Sequence, residues 1–234
     1  MTVSLRELAR DVFHSGFVKA RTRHAFRLAA SGLLYEFRLN SLHRASLKKA
    51  KRFANERGLR LHFGCGPNIK TGWVNIDLYS EKADLQLDAR DPFPFADGSV
   101  ALLYSEHFFE HLEYPDEALR FLRESSRVLA LDGLLSMGVP DCELSVRSYV
   151  AGDEDYYRHQ REEKPPKWVT TPMDYLNRDF RQGREHKYAY DFQNLTKVLT
   201  EAGFTSIVRR AFNPELDSQH REWGTLYIEA RKCA

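Results

Sequence analysis

The sequence predicts an α/β fold: a mostly parallel, seven-stranded sheet preceded by a helical N-terminal extension. Three observations carry this. From Leu59 onward, short apolar runs alternate with stretches at helical spacing, the grammar of a sheet flanked by helices. Four strand ends carry groups suited to a ligand, namely the glycines at 64 and 66, Asp77, Asp88 and the 104–107 segment. Ligands of open α/β sheets sit beyond the carboxyl ends of the strands. Before residue 58 the apolar spacing is helical only, and thirteen Lys and Arg stand against four acidic residues. That is a net charge of +9, which leaves −7 of the total +2 for residues 58–234.

In chain order, SLRELARDVF (4–13) is spaced as a helix, a second helix lies near 19–30, and a third follows Gly32. Gly58 is placed as a helix stop. LRLHFG (59–64), WVNIDL (73–78), ADLQLDA (83–89) and VALLYS (100–105) read as the first four strands. DEALRFLRESSRVLA (116–130) is a helix with Asp116 as its N-cap, and LLSMGVP (134–140) is a fifth strand. About fifty polar residues without clear periodicity follow, read as an excursion of short helices over about 143–190. Asp191 caps a helix over 192–203 that Gly203 stops, and TSIVRRAF and GTLYIEARK close the sheet. The domain reading is therefore an extension over 1–57 and a main domain over 58–234 with that excursion as a cap.

Composition bounds the function classes. An apolar share of 42% and a charged share of 29% are those of a globular protein. Cys65, Cys142 and Cys233 are too few and too scattered for a disulfide framework or a C-x-x-C zinc pair. Charged residues at 6, 7, 10 and 11 interrupt any signal-peptide core, and no run reaches the roughly 18 apolar residues of a membrane span. The expectation is a cytoplasmic protein, with peripheral membrane contact or dimerisation through the basic N-terminal helices as its further options. No aromatic-interleaved basic groove points to nucleic acid.

The glycine turn carries the chemistry. In Gly64-Cys65-Gly66 the two glycines let the backbone turn tightly and approach a ligand closely. A carboxylate at the next strand end, Asp77, can accept hydrogen bonds from ribose hydroxyls. Asp88 followed by Ala89 can meet an exocyclic amine and a ring nitrogen. Asp77 lies eleven residues after Gly66, too close for a normal crossover helix. A dinucleotide phosphate would lose that helix's N-terminal dipole. S-adenosylmethionine has no phosphate and tolerates the spacing.

With those residues in view, positions 59–204 resemble the class I S-adenosylmethionine-dependent methyltransferases. The likeness runs through LHFGCGPN with GWVNIDL, DARDPFPFADGSVALLYSEHFFEHL, SRVLALDGLLSMGVPD and REHKYAYDFQNLTKVLTEAGF. It implies a Rossmann-like fold with a shortened first crossover, and S-adenosylmethionine bound by His62, Gly64, Cys65, Gly66, Asp77, Leu78, Asp88, Ala89, Ser105 and Glu106. His62 stands where many relatives place an acidic residue. A small-molecule acceptor would meet Asp141, Tyr188 and Tyr190, with His186 and His107 as candidates for the base that takes its proton. The expected reaction is O-methylation of a sugar, a glycoconjugate precursor or a natural-product intermediate, yielding S-adenosylhomocysteine. A non-catalytic binding protein of the same fold is the alternative class. His107-Phe-Phe-Glu110-His111 also matches the H-x-x-E-H pattern of zinc hydrolases. The resemblance attributes it to a family pattern that holds no metal, and the sequence alone offers no distinctive third ligand.

Overall fold

The parallel pairing of β1 (Leu59–Phe63) with β2 (Val74–Ile76) is made without a crossover helix. Residues 64–73 return the chain as a turn, and Asn75 explains how so short a path holds. Its side chain accepts from Lys70 N at 2.8 Å and donates to Lys70 O at 3.0 Å and Asp84 Oδ2 at 3.0 Å. Asn75 is buried, and these bonds replace what a helix would supply. The computed structural model describes residues 19–232, so the expected helix over 4–13 lies outside the described residues.

The described sheet has six strands in the order β2-β1-β3-β4-β6-β5. The remaining strands are β3 (Val100–Glu106), β4 (Leu129–Pro140), β5 (Phe204–Arg209) and β6 (Thr225–Lys232). β1, β2, β3 and β4 pair in parallel, and β6 runs antiparallel to both β4 and β5. The expected strand over 83–89 makes one parallel bridge, Ile76 to Leu85, so the expected seven become six. The reason lies in α1 (Ala20–Ala50), which docks where a neighbouring strand would pair. Ser46 Oγ accepts the N–H of Gln86 at 2.8 Å, and His43 Nδ1 accepts that of Asp88 at 3.0 Å.

α1 is one continuous helix, not two broken at Gly32, and it ends well before Gly58. A mid-helix glycine costs only about 1 kcal/mol, too little to stop a helix whose far end is anchored. Leu39, Ser46 and Ala50 are buried, while Leu33, Leu34 and Phe37 are exposed. α2 (Asp116–Val128) packs Ala118, Phe121, Leu122 and Val128 onto the sheet. Asp116 is its first residue rather than its cap, since the cap position is Pro115 and no side chain bonds there. The excursion forms α3 (Cys142–Ala151), α4 (Glu154–Glu162) and α5 (Pro172–Arg181), which bury Tyr156, Tyr157, Val169 and Tyr175 in a small cluster of their own. α6 (Phe192–Glu201) begins at Asp191, whose carboxylate accepts the N–H of Asn194 at 2.7 Å, as the sequence indicates.

Candidate functional site: two cavities and a histidine cluster between them

The turn after β1 opens one wall of a cavity of about 730 Å³. Gly64 has φ +67°, and a Cβ there would lie 2.5 Å from Phe108 Cβ, so the glycine admits Phe108 across the strand end. Gly66 has φ +49°, faces open space, and donates its N–H to Asp77 Oδ2 at 2.9 Å. Asp77 Oδ1 accepts the N–H groups of Tyr79 at 2.8 Å and Ser80 at 2.9 Å. A carboxylate has about four lone-pair sites, so one remains for a ligand hydroxyl. Asp88 accepts from Arg90 Nε at 2.8 Å and Nη2 at 2.6 Å. Burial works to raise the Asp88 carboxyl, and the Arg90 hydrogen bonds and charge overcome it and hold the group below its ordinary range.

Gly64, Asp77, Leu78, Asp88 and Ala89 all line this cavity, as the sequence reading requires of a cofactor site. A cavity of this size suits a nucleoside-sized ligand, and the free carboxylate capacity fits one bearing hydroxyls. His62, Cys65, Gly66, Ser105 and Glu106 lie outside its lining. β1 and the end of β3 are buried on both faces, so period-two alternation aims some of their side chains away from the ligand. His62 packs 5.2 Å from the Tyr104 ring, and burial lowers its pKa to about 4. The Cys65 thiol is pushed up to about 12, chiefly by burial. Ser105 is fully buried with its hydroxyl unpartnered. Glu106 accepts from Ser218 N at 3.1 Å and the Tyr227 hydroxyl at 2.9 Å, on the β6 side of the sheet.

A second cavity, of about 530 Å³, lies under α3, α4 and α5. Asp141 stands at its edge and caps α3, accepting Leu144 N at 3.0 Å. The walls also carry Tyr156, Gln160, Arg178, Asp179 and Trp223. Tyr156 Oη lies 2.9 Å from both Ser145 Oγ and Asp179 Oδ2. Tyr188 and Tyr190 lie elsewhere: Tyr190 is buried 5.0 Å from the Phe109 ring, and the Tyr188 ring lies tilted 4.5 Å from that of Tyr114.

His107 lines both cavities. It takes φ +50° at the end of β3, donates its N–H to Gly138 O at 2.7 Å, and sets Nε2 2.8 Å from Thr225 Oγ1. Its Nδ1 lies 3.7 Å from Glu110 Oε1. His186 Nε2 approaches the same oxygen at 3.8 Å and His111 Nε2 at 3.9 Å. Glu110 is 2% exposed, and neither carboxylate oxygen has a hydrogen-bond partner. Burial pushes its pKa up to about 8 and lowers those of His111 and His186. The segment bearing His186 is held by Lys187 N donating to Glu110 O at 2.8 Å. The ligand atoms of Glu110, His111 and His186 lie within 4.8 Å of one another, making them the described residues able to share a cation.

Comparison with known proteins gives a likeness over just under half of the chain. Residues 24–137 match a family model described as a methyltransferase domain. No curated protein matches the chain. Solved structures similar to it include an S-adenosylmethionine-dependent methyltransferase of Thermotoga maritima, described as a possible histamine N-methyltransferase. That pair is 16% identical over 90% of this chain and 99% of the other, at a TM-score of 0.44. An S-adenosylmethionine-dependent methyltransferase of Archaeoglobus fulgidus is 14% identical over 86% of this chain and 99% of that one, at a TM-score of 0.43.

Proposed function

Because residues 24–137 match the methyltransferase-domain family, on a Rossmann-like methyltransferase fold, we propose that the chain methylates a small hydroxylated acceptor at oxygen. One observation carries the reading: His107 is shared by the cavity at the glycine turn and the cavity under α3–α5. Donor and acceptor sites that meet at one side chain let a methyl pass directly, and positioning supplies much of such a rate.

S-adenosylmethionine, held by Gly64, Asp77, Leu78, Asp88 and Ala89, would supply an electrophilic sulfonium methyl. The polar groups in the otherwise largely apolar wall of the second cavity, Asp141, Gln160, Arg178 and Asp179, would meet the hydroxyls of an acceptor such as a sugar or a glycoconjugate precursor. The proton leaving the acceptor would pass to the His107–Glu110–His186 group. His186 Nδ1 lies 2.7 Å from Asp179 O, which can only accept. The proton therefore sits on Nδ1 and leaves Nε2 basic. On the exposed face of α1, Leu33, Leu34 and Phe37 support a contact with a membrane surface or a second chain.

The test is calorimetric titration of the full chain with S-adenosylmethionine and S-adenosylhomocysteine, with Asp77→Asn alongside. Micromolar binding by the wild type, weakened in the variant, is expected. A folded wild type that binds neither compound would overturn the reading.

A further inference from the structure

The cluster between the cavities has an electrostatic defect that its own residues do not resolve. Glu110 carries two buried oxygens with no donor, and the buried Nε2 of His186 has no partner either. The tautomers deepen the defect. His186 Nδ1 lies 2.7 Å from Asp179 O and His111 Nδ1 lies 3.2 Å from Glu185 O. Both partners are carbonyls, so both Nδ1 atoms carry the proton and both Nε2 lone pairs face the Glu110 carboxylate. At 3.8 and 3.9 Å these contacts are too long for a hydrogen bond to a protonated Glu110. His107 brings a third imidazole nitrogen to 3.7 Å of the same oxygen.

We propose that Glu110, His111 and His186 form a binding site for one first-row divalent transition cation, with zinc the best fit to this donor set. Two imidazoles and one carboxylate are ligands such ions take, with a fourth position left for water or substrate. Bonds of about 2.0–2.1 Å to a central zinc bring ligand atoms to roughly 3.3–3.4 Å of one another in a tetrahedron. The two histidine nitrogens lie 3.8 and 3.9 Å from Glu110 Oε1 and all three ligand atoms lie within 4.8 Å of one another, so the side chains would close by up to about 1.4 Å around a cation. The backbone carbonyls on the two Nδ1 protons are the outer support that fixes imidazole orientation in metal sites. The E-H end of the H-x-x-E-H spacing supplies two of the ligands from the 3₁₀ turn Phe109–His111. The sequence offered no distinctive third ligand because His186 lies 75 positions beyond His111.

A cation here would stand where the two cavities meet. A hydroxyl oxygen of the acceptor could enter its coordination shell from the α3–α5 side. The O–H bond would then break with its electron pair kept on the cation-bound oxygen, and, because the cation occupies the Glu110 and His186 lone pairs, the proton would leave to water in that cavity instead of to those side chains. This role rests on the methyl-transfer reading; binding of the cation does not.

The experiment therefore measures metal without any methyl donor. The full chain is stripped with chelator and titrated with Zn²⁺ and with Co²⁺, following bound metal by elemental analysis and cobalt by its visible absorption. One ion per chain is expected, with a cobalt d–d band of nitrogen-rich coordination. His111→Asn and Glu110→Gln should weaken binding at least tenfold, and His159→Asn, on the surface of α4, should leave it unchanged. His111 is a third exposed, so its variant tests the site with little threat to the fold. No stoichiometric binding at millimolar metal, or binding that all three variants leave intact, overturns the proposal. If the cluster variants fail to fold, X-ray absorption of the zinc-loaded wild type decides: an imidazole shell supports the site and an oxygen-only shell overturns it.

Discussion

His62 shows what burial does to a single titratable group. It stands on β1 among Trp73 and Tyr104, and burial, reinforced by the Lys70 charge, lowers its pKa from 6.5 to about 4. The unfolded chain therefore takes up a proton first as pH falls. The stability His62 contributes is complete above pH 6.5 and is lost as pH drops towards 4. A shift of this size corresponds to at most about 3 kcal/mol. Urea unfolding at pH 7 and pH 5 should show the loss in the wild type and a flatter dependence in His62→Leu. At this scale the sequence was legible wherever a residue's own conformation or chemistry sets its role. Gly64 and Gly66 needed positive φ, and Asp77 needed the end of β2, whereas the strand expected to carry Asp88 reduces to one bridge. It was not legible where the role depends on which face a side chain takes. Ser105 and Glu106 sit at the end of a strand buried on both sides, and no polarity alternation marks the ligand side.

Among the elements, local signals and tertiary support divide the work differently. Asp191 could be read as a cap because capping needs only the next three residues, and its carboxylate does accept Asn194 N. Asp191→Ala should lower stability by about 1 kcal/mol, measured by chemical denaturation, without changing α6 outside its first turn. Asp116 sits in an equally suggestive position, yet the chain enters α2 through Pro115 and leaves no side-chain cap. α1 continued through Gly32 because its anchor lies further along, at His43, Ser46 and Ala50. That support comes from the 83–89 segment, which no window within α1 could reveal. The three short helices of the excursion were expected as a class, but their placement over a cavity follows from contacts with 219–225 that have no local signature.

Across the molecule, one buried charge network ties the late loop to the sheet. Arg210 grips Asp217 with bonds of 2.5 and 2.7 Å, and Tyr104 on β3 donates to Asp217 at 3.0 Å. Asp217 also accepts Asn213 N at 2.7 Å, so one carboxylate positions the segment that brings Arg221 and Trp223 to the second cavity. Removing one partner of a buried pair strands the other charge. Asp217→Asn should cost about 3 kcal/mol. Thermal unfolding reads that loss, and Trp223 emission should report a disturbed loop. None of this was visible in the sequence, because Tyr104 and Asp217 are 113 positions apart and nothing in the pattern around either points to the other.

The helix that resembles an appendage also has a protective consequence. By taking the N–H groups of Gln86 and Asp88, α1 covers the open margin of the sheet beside β2. A strand margin with bare N–H groups is a template on which other chains can polymerise. Trimming this protein back to its apparent domain start would therefore uncover an adhesive border, and the shortened chain would be prone to clump during expression even with its cavities untouched.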